Sequence, residues 1–127
     1  MTPEQEETLK DFAQNEEFGE LHHGDCVGAD ATAHALVREH RPDVKIVVHP
    51  PKAEFLRAFC SGDREYPPKK YLERDDFITE IADVIVGTPH PDSMKRRDGG
   101  TWYTLRCGRR RGKRVFVIEP DGNMRVF

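Results

Sequence analysis

Residues 20–37 carry the sequence ELHHGDCVGADATAHALV, and this stretch decides the fold. Its first four residues favour a short extended strand, and a turn with glycines at 24 and 28 follows directly. From Ala29 onward, apolar residues recur at helical spacing until Arg41-Pro42 ends them. The stretch therefore predicts a strand, a glycine turn and a helix in that order.

The flanking segments continue this alternation. Upstream, Thr2-Pro3-Glu4-Gln5 has the residue types of a capping box with proline at the first helical position, so a helix should open there and end before Gly19. Downstream, residues 44–49 are rich in Val and Ile and end at Pro50-Pro51, which predicts a buried strand.

The rest of the chain repeats the pattern. We expect a short helix at 52–60, a loop at 61–69 and a helix at 70–82 whose inner face carries Phe77, Ile78 and Ile81. A strand at 83–88, a loop at 89–98 and a helix from 99 to about 112 should follow. The chain should end with a strand at 114–119, a turn and a C-terminal antiparallel edge strand at 124–127. Strands that alternate with helices at this spacing predict an α/β domain with a mostly parallel sheet covered on both faces.

Length and composition limit the alternatives. A chain of 127 residues fits one domain, residues 1–127. Charged residues make up 34% and apolar residues 36%, and the longest apolar runs are far shorter than the roughly 20 residues that span a bilayer. The acidic, polar start does not resemble a signal peptide, and the three cysteines are widely spaced, so we expect a cytoplasmic protein with reduced thiols and no membrane partner.

Parallel sheets bind ligands beyond the carboxyl ends of their strands. Two glycine turns fall there, Gly24 to Gly28 and Gly99-Gly100-Thr101, each before a predicted helix. Free N–H groups and the helix dipole favour an anion at such a place, and a phosphate is the natural candidate. Tight turns with ordinary helix caps, Asp30 among them, are the structural alternative.

Arg74 lies at the N-terminal end of the inward stripe of the helix at 70–82. In that position its guanidinium would face the strand-end crevice and could bind a phosphate. Pairing with the neighbouring Glu73 or Asp75 is the alternative.

These motifs together resemble the SLOG superfamily, a Rossmann-like group that includes the DprA/SMF and LOG families, and within it the small single-domain YspA/YpsA-related branch. The resemblance covers about residues 2–122 and rests on the order of four motifs: 22–30 (HHGDCVGAD), 47–51 (VVHPP), 71–75 (YLERD) and 100–102 (GTW). It implies a Rossmann-like three-layer sandwich whose glycine loops bind a nucleotide or a nucleotide-derived ligand, with no required cofactor.

The resemblance also assigns site residues. The ligand-binding set it implies, together with Cys26 and His49 from the strand ends, comprises Gly24, Asp25, Cys26, Gly28, Asp30, His49, Arg74, Gly99, Gly100 and Thr101. The family's Arg-Asn pair is Arg74-Asp75 here, which replaces an amide with an anion. The catalytic Glu of LOG hydrolases, shortly after their Gly-Thr, is not found in Trp102-Tyr103-Thr104, so the hydrolase mechanism does not transfer.

Relatives generally begin with a strand and a glycine turn before the first helix, whereas here Met1 lies at the helix cap. We therefore expect a central strand and one ligand-binding loop to be absent beside the strand at 20–23. Exposed sheet edges of this kind would favour a homodimer.

Other constellations remain as alternatives. Histidines near Cys26 could suggest a metal, but no pair has zinc-protease spacing, and we expect none. Cys26 could act as a nucleophile with His23 or His49 as its base, although a plain turn residue is the simpler interpretation. Residues 95–114 hold nine Lys or Arg and one Asp, which could contact nucleic-acid phosphates or form a solvated helix face.

The leading hypothesis is a domain that binds a nucleotide-derived small molecule as a sensor or processing factor. The first alternative is hydrolysis of an N-glycosidic or phosphate bond in such a ligand, with Asp25, Asp30 or Glu73 as acid or base. The second is nucleic-acid binding by the 95–114 surface.

Overall fold

The computed structural model describes residues 1–127 and forms four α-helices and six strands. The helices are α1 (Pro3–Asn15), α2 (Ala29–His40), α3 (Tyr71–Ile81) and α4 (Gly100–Arg110). The strands are β1 (Glu20–His23), β2 (Lys45–Val48), β3 (Arg64–Glu65), β4 (Val84–Gly87), β5 (Arg114–Ile118) and β6 (Met124–Val126). The predicted α/β class is confirmed, and no helix combines the length and apolar character needed to cross a bilayer.

The first helix opens with the predicted capping box. The Thr2 hydroxyl accepts a hydrogen bond from the Gln5 N–H at 3.0 Å, and the Gln5 side chain accepts one from the Thr2 N–H at 2.9 Å. Gln5 is fully buried, and its amide nitrogen donates to the carbonyls of Pro89 and Ile118, each at 2.9 Å. One side chain thus caps α1 and fixes it to the loops after β4 and β5.

The strands fall into two sheets of three. In the first, with order β1-β2-β3, all strands are parallel, and Leu21 pairs with Ile46. In the second, with order β4-β5-β6, β4 and β5 are parallel and β6 is antiparallel, so the predicted C-terminal edge strand is present. Each half has its own apolar core, centred on Ile46 and Val48 in the first and on Trp102 and Leu105 in the second.

Both sheets have an unpaired edge where they approach each other. Among residues 1–127, β1 pairs only with β2 and β4 pairs only with β5. The place beside β1 where we expected a central strand to be absent is open. Helices hold the halves together, because α1 packs on α2 and also contacts β5, while α3 packs on α4 and donates from Arg74 to carbonyls after β1 and β2.

Two details differ from the sequence predictions. The expected helix at 52–60 is only a 3-10 turn at Glu54–Leu56, and Phe55 and Phe59 are exposed. The reason is pairing with the glycine turn, because Val27 N–H donates to Leu56 O and Ala58 N–H donates to Asp25 O.

The buried stripe of α3 is also polar rather than apolar. Arg74, Asp75 and Thr79 are buried, whereas Ile81 of the predicted inner face is 37% exposed. Arg74 is satisfied by carbonyls of Gly24 and His49, far away in the chain, whereas Asp75 bonds to Arg74 and Thr79 bonds to the Asp76 carbonyl within the helix.

Candidate functional site

A cleft of about 720 Å³ lies between the two sheets, lined by the free edges of β1 and β4. At the carboxyl ends of these strands it is lined by polar groups, and along its length it is lined by apolar side chains from α1 and α3. Six of the predicted ligand-binding residues line its carboxyl end: Gly24, Cys26, Asp30, Arg74, Gly100 and Thr101. The topology thus brings the two predicted glycine turns together around one space.

Two helices open at this end of the cleft with glycine as N-cap. Gly28 before α2 has φ 99°, and Gly99 before α4 has φ 92°, a region that favours glycine. Neither helix has a side chain that accepts from its first N–H groups in the usual capping manner. Asp30 instead turns back to accept from the Cys26 N–H at 3.1 Å. The first-turn N–H groups of both helices are therefore available to an acceptor.

Arg74 is buried and held by acceptors from three segments. Its Nε donates to Asp75 at 2.8 Å, and its Nη1 donates to the carbonyls of Gly24 and His49, the latter at 3.3 Å. The Cys26 sulfur lies 3.6 Å from Nη2. This arginine joins α3 to the ends of β1 and β2 and leaves only the Nη2 side for a ligand.

Gly24 is required by this arrangement. A Cβ atom at position 24 would lie 2.5 Å from Arg74 Nη1 and 3.0 Å from an Asp30 carboxylate oxygen. The glycine thus permits the close approach of the guanidinium to the strand end, which is a structural reason for its presence in the turn.

Asp75 is a cleft residue that we did not predict as a candidate acid or base. Burial raises the pKa of its carboxyl to about 6, although the guanidinium of Arg74 acts in the opposite direction. A carboxyl group that titrates close to neutrality suits proton transfer. The adjacency of Arg74 and Asp75 was visible in the sequence, but burial of the carboxylate was not.

Tyr71 is a second residue that the sequence patterns did not reveal. It lines the cleft, and its hydroxyl lies directly over Gly100, where a Cβ atom would overlap it. Tyr71 therefore forms part of the wall next to the N-terminus of α4, and Gly100 leaves the room for it.

Asp25 lies away from the cleft lining. Its carboxylate is fully buried and accepts from Arg57 Nε at 2.7 Å and from the Cys60 N–H at 2.8 Å. Its backbone has φ 53°, a left-handed conformation that Asp tolerates better than most residues. These contacts fix the segment 57–60 to the glycine turn and leave the carboxylate no contact with the cleft.

The other predicted residues also lie outside the lining. Gly28 and Gly99 contribute through the helix N-termini that they open, and Glu73 is exposed on α3. His49 is buried, stacks on Tyr66 with ring centroids 4.7 Å apart, and shares a hydrogen bond with His22 at 2.9 Å. Burial, reinforced by nearby cationic groups, lowers the pKa of His49 to about 3, so its ring stays neutral.

His23, His34 and Cys60 are the one group of side chains close enough to share a metal ion. The Asp25 N–H donates to His23 Nδ1 at 3.0 Å, so the His23 proton lies on Nε2, which is 2.8 Å from His34 Nδ1. A metal at Nε2 would force the proton onto Nδ1, against the Asp25 N–H. Burial also raises the pKa of the Cys60 thiol to about 11, which disfavours the thiolate. These residues fit a metal poorly.

Basic residues of the 95–114 surface are partly engaged by the protein itself. Arg111 pairs with Asp76 at 3.1 Å, Lys113 donates to the Glu80 carbonyl at 3.1 Å, and Arg109 covers the Phe127 ring at 4.1 Å. Trp102 is fully buried, and its indole N–H donates a hydrogen bond to the Ser93 hydroxyl oxygen at 3.0 Å. It is thus a core residue of the second sheet's apolar cluster.

Comparison of the chain with protein-family models, with curated proteins and with solved structures gives no significant match.

Proposed function

We propose that this protein binds a nucleotide-derived small molecule at the carboxyl end of the cleft. The observation that carries the proposal is the convergence of two glycine-opened helix N-termini, those of α2 and α4, on one end of one large cleft. Such termini favour a phosphate, and a cleft of about 720 Å³ has the size of a small-molecule site.

The charges narrow the ligand class. Arg74 is the one Lys or Arg at this end of the cleft, and the carboxylates of Asp30 and Asp75 lie near it. A ligand with several unshielded phosphates would be repelled by these carboxylates. A ligand with few phosphates and free sugar hydroxyls suits them better, because hydroxyls donate to carboxylates.

The finer aspects of the fold belong to the same proposal. We propose that the two sheets are halves of one Rossmann-like three-layer sandwich of the SLOG type. The helix pairs α1-α2 and α3-α4 support it, as does the position of the glycine turns after β1 and before α4.

Calorimetry against AMP, ADP-ribose, NAD and a cyclic nucleotide tests the binding. We expect saturable binding of at least one of them, and its loss in Gly100→Val, whose side chain would displace Tyr71 beside the α4 terminus. Asp30→Ala should weaken it as well. Gly19→Ala is the control, because Gly19 lies at the other end of the cleft with no atom near its Cβ position. No saturable ligand, or unchanged affinity in Gly100→Val, would contradict the proposal.

Hydrolysis of an N-glycosidic or phosphate bond is the second candidate function, and Asp75 is the observation that favours it. With a pKa of about 6, this carboxyl could donate or accept a proton near neutrality. Chromatography of the incubated nucleotides would reveal free base or ribose phosphate. If Asp75 is the acid or base, Asp75→Asn retains ligand binding and abolishes turnover, and the wild-type rate changes with pH around 6. Equal turnover in Asp75→Asn would exclude this role.

A further inference from the structure

The free edges of β1 and β4 line the same cleft, so each exposes backbone groups to it. Unpaired edges of this kind attract further strands, and native proteins usually cover them. Two such edges along one cleft form a more specific feature than one edge open to solvent.

The hydrogen-bond pattern shows which backbone groups are unpaired. In β1, Gly19 and His23 carbonyls accept from Lys45 and His49 of the β2 side, so the alternating residues Glu20 and His22 direct their N–H and C=O away from β2.

The same alternation applies to the second sheet. Val115 of β5 bonds to Phe127 on the β6 side, so Phe116 bonds toward β4, where it is level with Val86. In a parallel pair the partners of Phe116 are the neighbours of Val86, namely Ile85 and Gly87. Val84 and Val86 therefore direct their N–H and C=O away from β5.

Apolar side chains cover the space between these edges. Leu9, Phe12 and Ala13 of α1 and Ile78 and Ile81 of α3 line the cleft. The two helices belong to different helix pairs, α1 with α2 and α3 with α4. A strand between β1 and β4 would thus meet apolar walls as well as backbone partners. Such surroundings are typical of a central strand in a parallel sheet, whose sequence is a nearly continuous apolar run.

We propose that the cleft between β1 and β4 binds an extended apolar strand of about five residues from another polypeptide chain, paired in parallel with both edges. Only an extended backbone offers donors and acceptors alternately on both of its sides, as pairing with two edges requires. This site is the apolar length of the cleft and is separate from the ligand site at its carboxyl end.

The charges predict the direction and sequence of the partner strand. Glu16, Glu17, Glu20 and Asp83 line the amino end of the cleft, against one basic residue, Arg114. A strand parallel to β1 begins at this acidic end, so basic residues should precede its apolar run. A second copy is a poor donor, because the apolar runs of this chain already lie within β2, β4 and β5.

The test uses the synthetic peptide KKVIVVV with the chain of residues 1–127. Amide hydrogen exchange followed by NMR should show new protection at the N–H groups of His22 and Val86, which face the cleft. The N–H groups of Leu21 and Ile85, which already point into their own sheets, should change little. Fluorescence anisotropy of the labelled peptide gives the affinity.

Controls separate strand pairing from simple adhesion. Ile81→Lys places a charge on the wall and should weaken binding about tenfold or more. Leu72→Lys is the matched control, because Leu72 is exposed on the same helix outside the cleft. This variant should bind the peptide as tightly as the wild type does. The reversed peptide VVVIVKK and a peptide with proline in the apolar run should bind more weakly.

The proposal is wrong if the peptide gives no protection, if protection does not alternate along β1 and β4, or if Ile81→Lys binds as well as Leu72→Lys. Light scattering of the protein without peptide measures whether the chain forms a dimer by itself. A dimer that already protects His22 and Val86 would identify a second copy as the occupant and overturn the assignment to another polypeptide.

Discussion

Replacement of Asp25 tests whether this residue is a structural anchor. Its buried carboxylate accepts from Arg57 Nε and the Cys60 N–H, and its own carbonyl accepts from Ala58 N–H. In Asp25→Ala, the guanidinium of Arg57 loses its buried partner and the Cys60 N–H loses its acceptor. The substitution also places alanine at φ 53°.

The magnitude follows from these losses. Breaking a buried ion pair by removal of one partner costs about 3–5 kcal/mol. Arg57 retains an ion pair with Glu65 at 2.5 Å, which argues for the lower part of that range. The unsatisfied Cys60 N–H adds about 1 kcal/mol or more. We therefore expect a loss of about 4 kcal/mol in the free energy of unfolding, a large part of the roughly 5–15 kcal/mol that domains possess.

Urea denaturation followed by circular dichroism measures the loss. With a slope of roughly 2 kcal/mol per molar urea, the midpoint should fall by about 2 M. Asp25→Asn is the matched control, because asparagine tolerates the left-handed backbone and keeps one acceptor for the Cys60 N–H, so it should lose about half as much. The double substitution with Arg57→Ala should cost less than the sum of the single changes, because the two residues share one interaction.

A loss below about 1 kcal/mol in Asp25→Ala would refute this reasoning, since the buried pair would then contribute no more than an exposed one. A stable Asp25→Asn variant that had lost a wild-type reaction would instead indicate a chemical role for the carboxylate. Stability and turnover measured on the same two variants therefore separate the anchor from the catalytic candidate.

Three further substitutions have defined outcomes. Because the folded pKa of His49 is about 3 and its unfolded value is near 6.5, this residue should lower stability by about 1.4 kcal/mol per pH unit as pH drops between these values. Since burial also lowers the pKa values of His23 and His34, His49→Gln should reduce the slope in urea midpoints between pH 7 and pH 5 without abolishing it. Gly87→Ala would bring a Cβ atom to 2.7 Å from the fully buried Leu105, so calorimetry should show a loss of about 1–3 kcal/mol. Thr2→Ala removes the acceptor for the Gln5 N–H and should cost about 1 kcal/mol in urea denaturation, whereas Thr2→Ser should be near neutral.

The sequence predicted the elements well where local signals act alone. The capping box at Thr2 and the glycine turn before α2 are set by neighbouring residues, and the structure has both. The helix predicted at 52–60 is wrong because the backbone of this segment bonds to the turn around Asp25, some thirty residues earlier. Such a non-local competitor leaves no periodic pattern in the sequence.

Prediction of the site was limited by the same cause. The rule that parallel sheets bind ligands beyond the carboxyl ends of their strands predicted that Gly24, Cys26 and Arg74 lie together, and they line one end of the cleft. It could not show that Asp25, next to Gly24, turns its carboxylate toward Arg57. Nor could it show that Asp75 is buried, because the burial depends on how α3 packs against α4.

One face of α3 forms a wall of the cleft, polar at its first turn and apolar beyond it. Arg74 can be buried only because the carbonyls of Gly24 and His49, at the ends of β1 and β2, accept its protons. Arg74, Ile78 and Ile81 follow one another at helical spacing, so they share one face of α3, and all three line the cleft between β1 and β4. A strand bound there would cover these isoleucines and end beside Gly24 and Gly100, next to the α2 and α4 termini. The strand site and the ligand site would then be separate but adjacent, and by linkage any change that one ligand makes in the affinity of the other would be reciprocal.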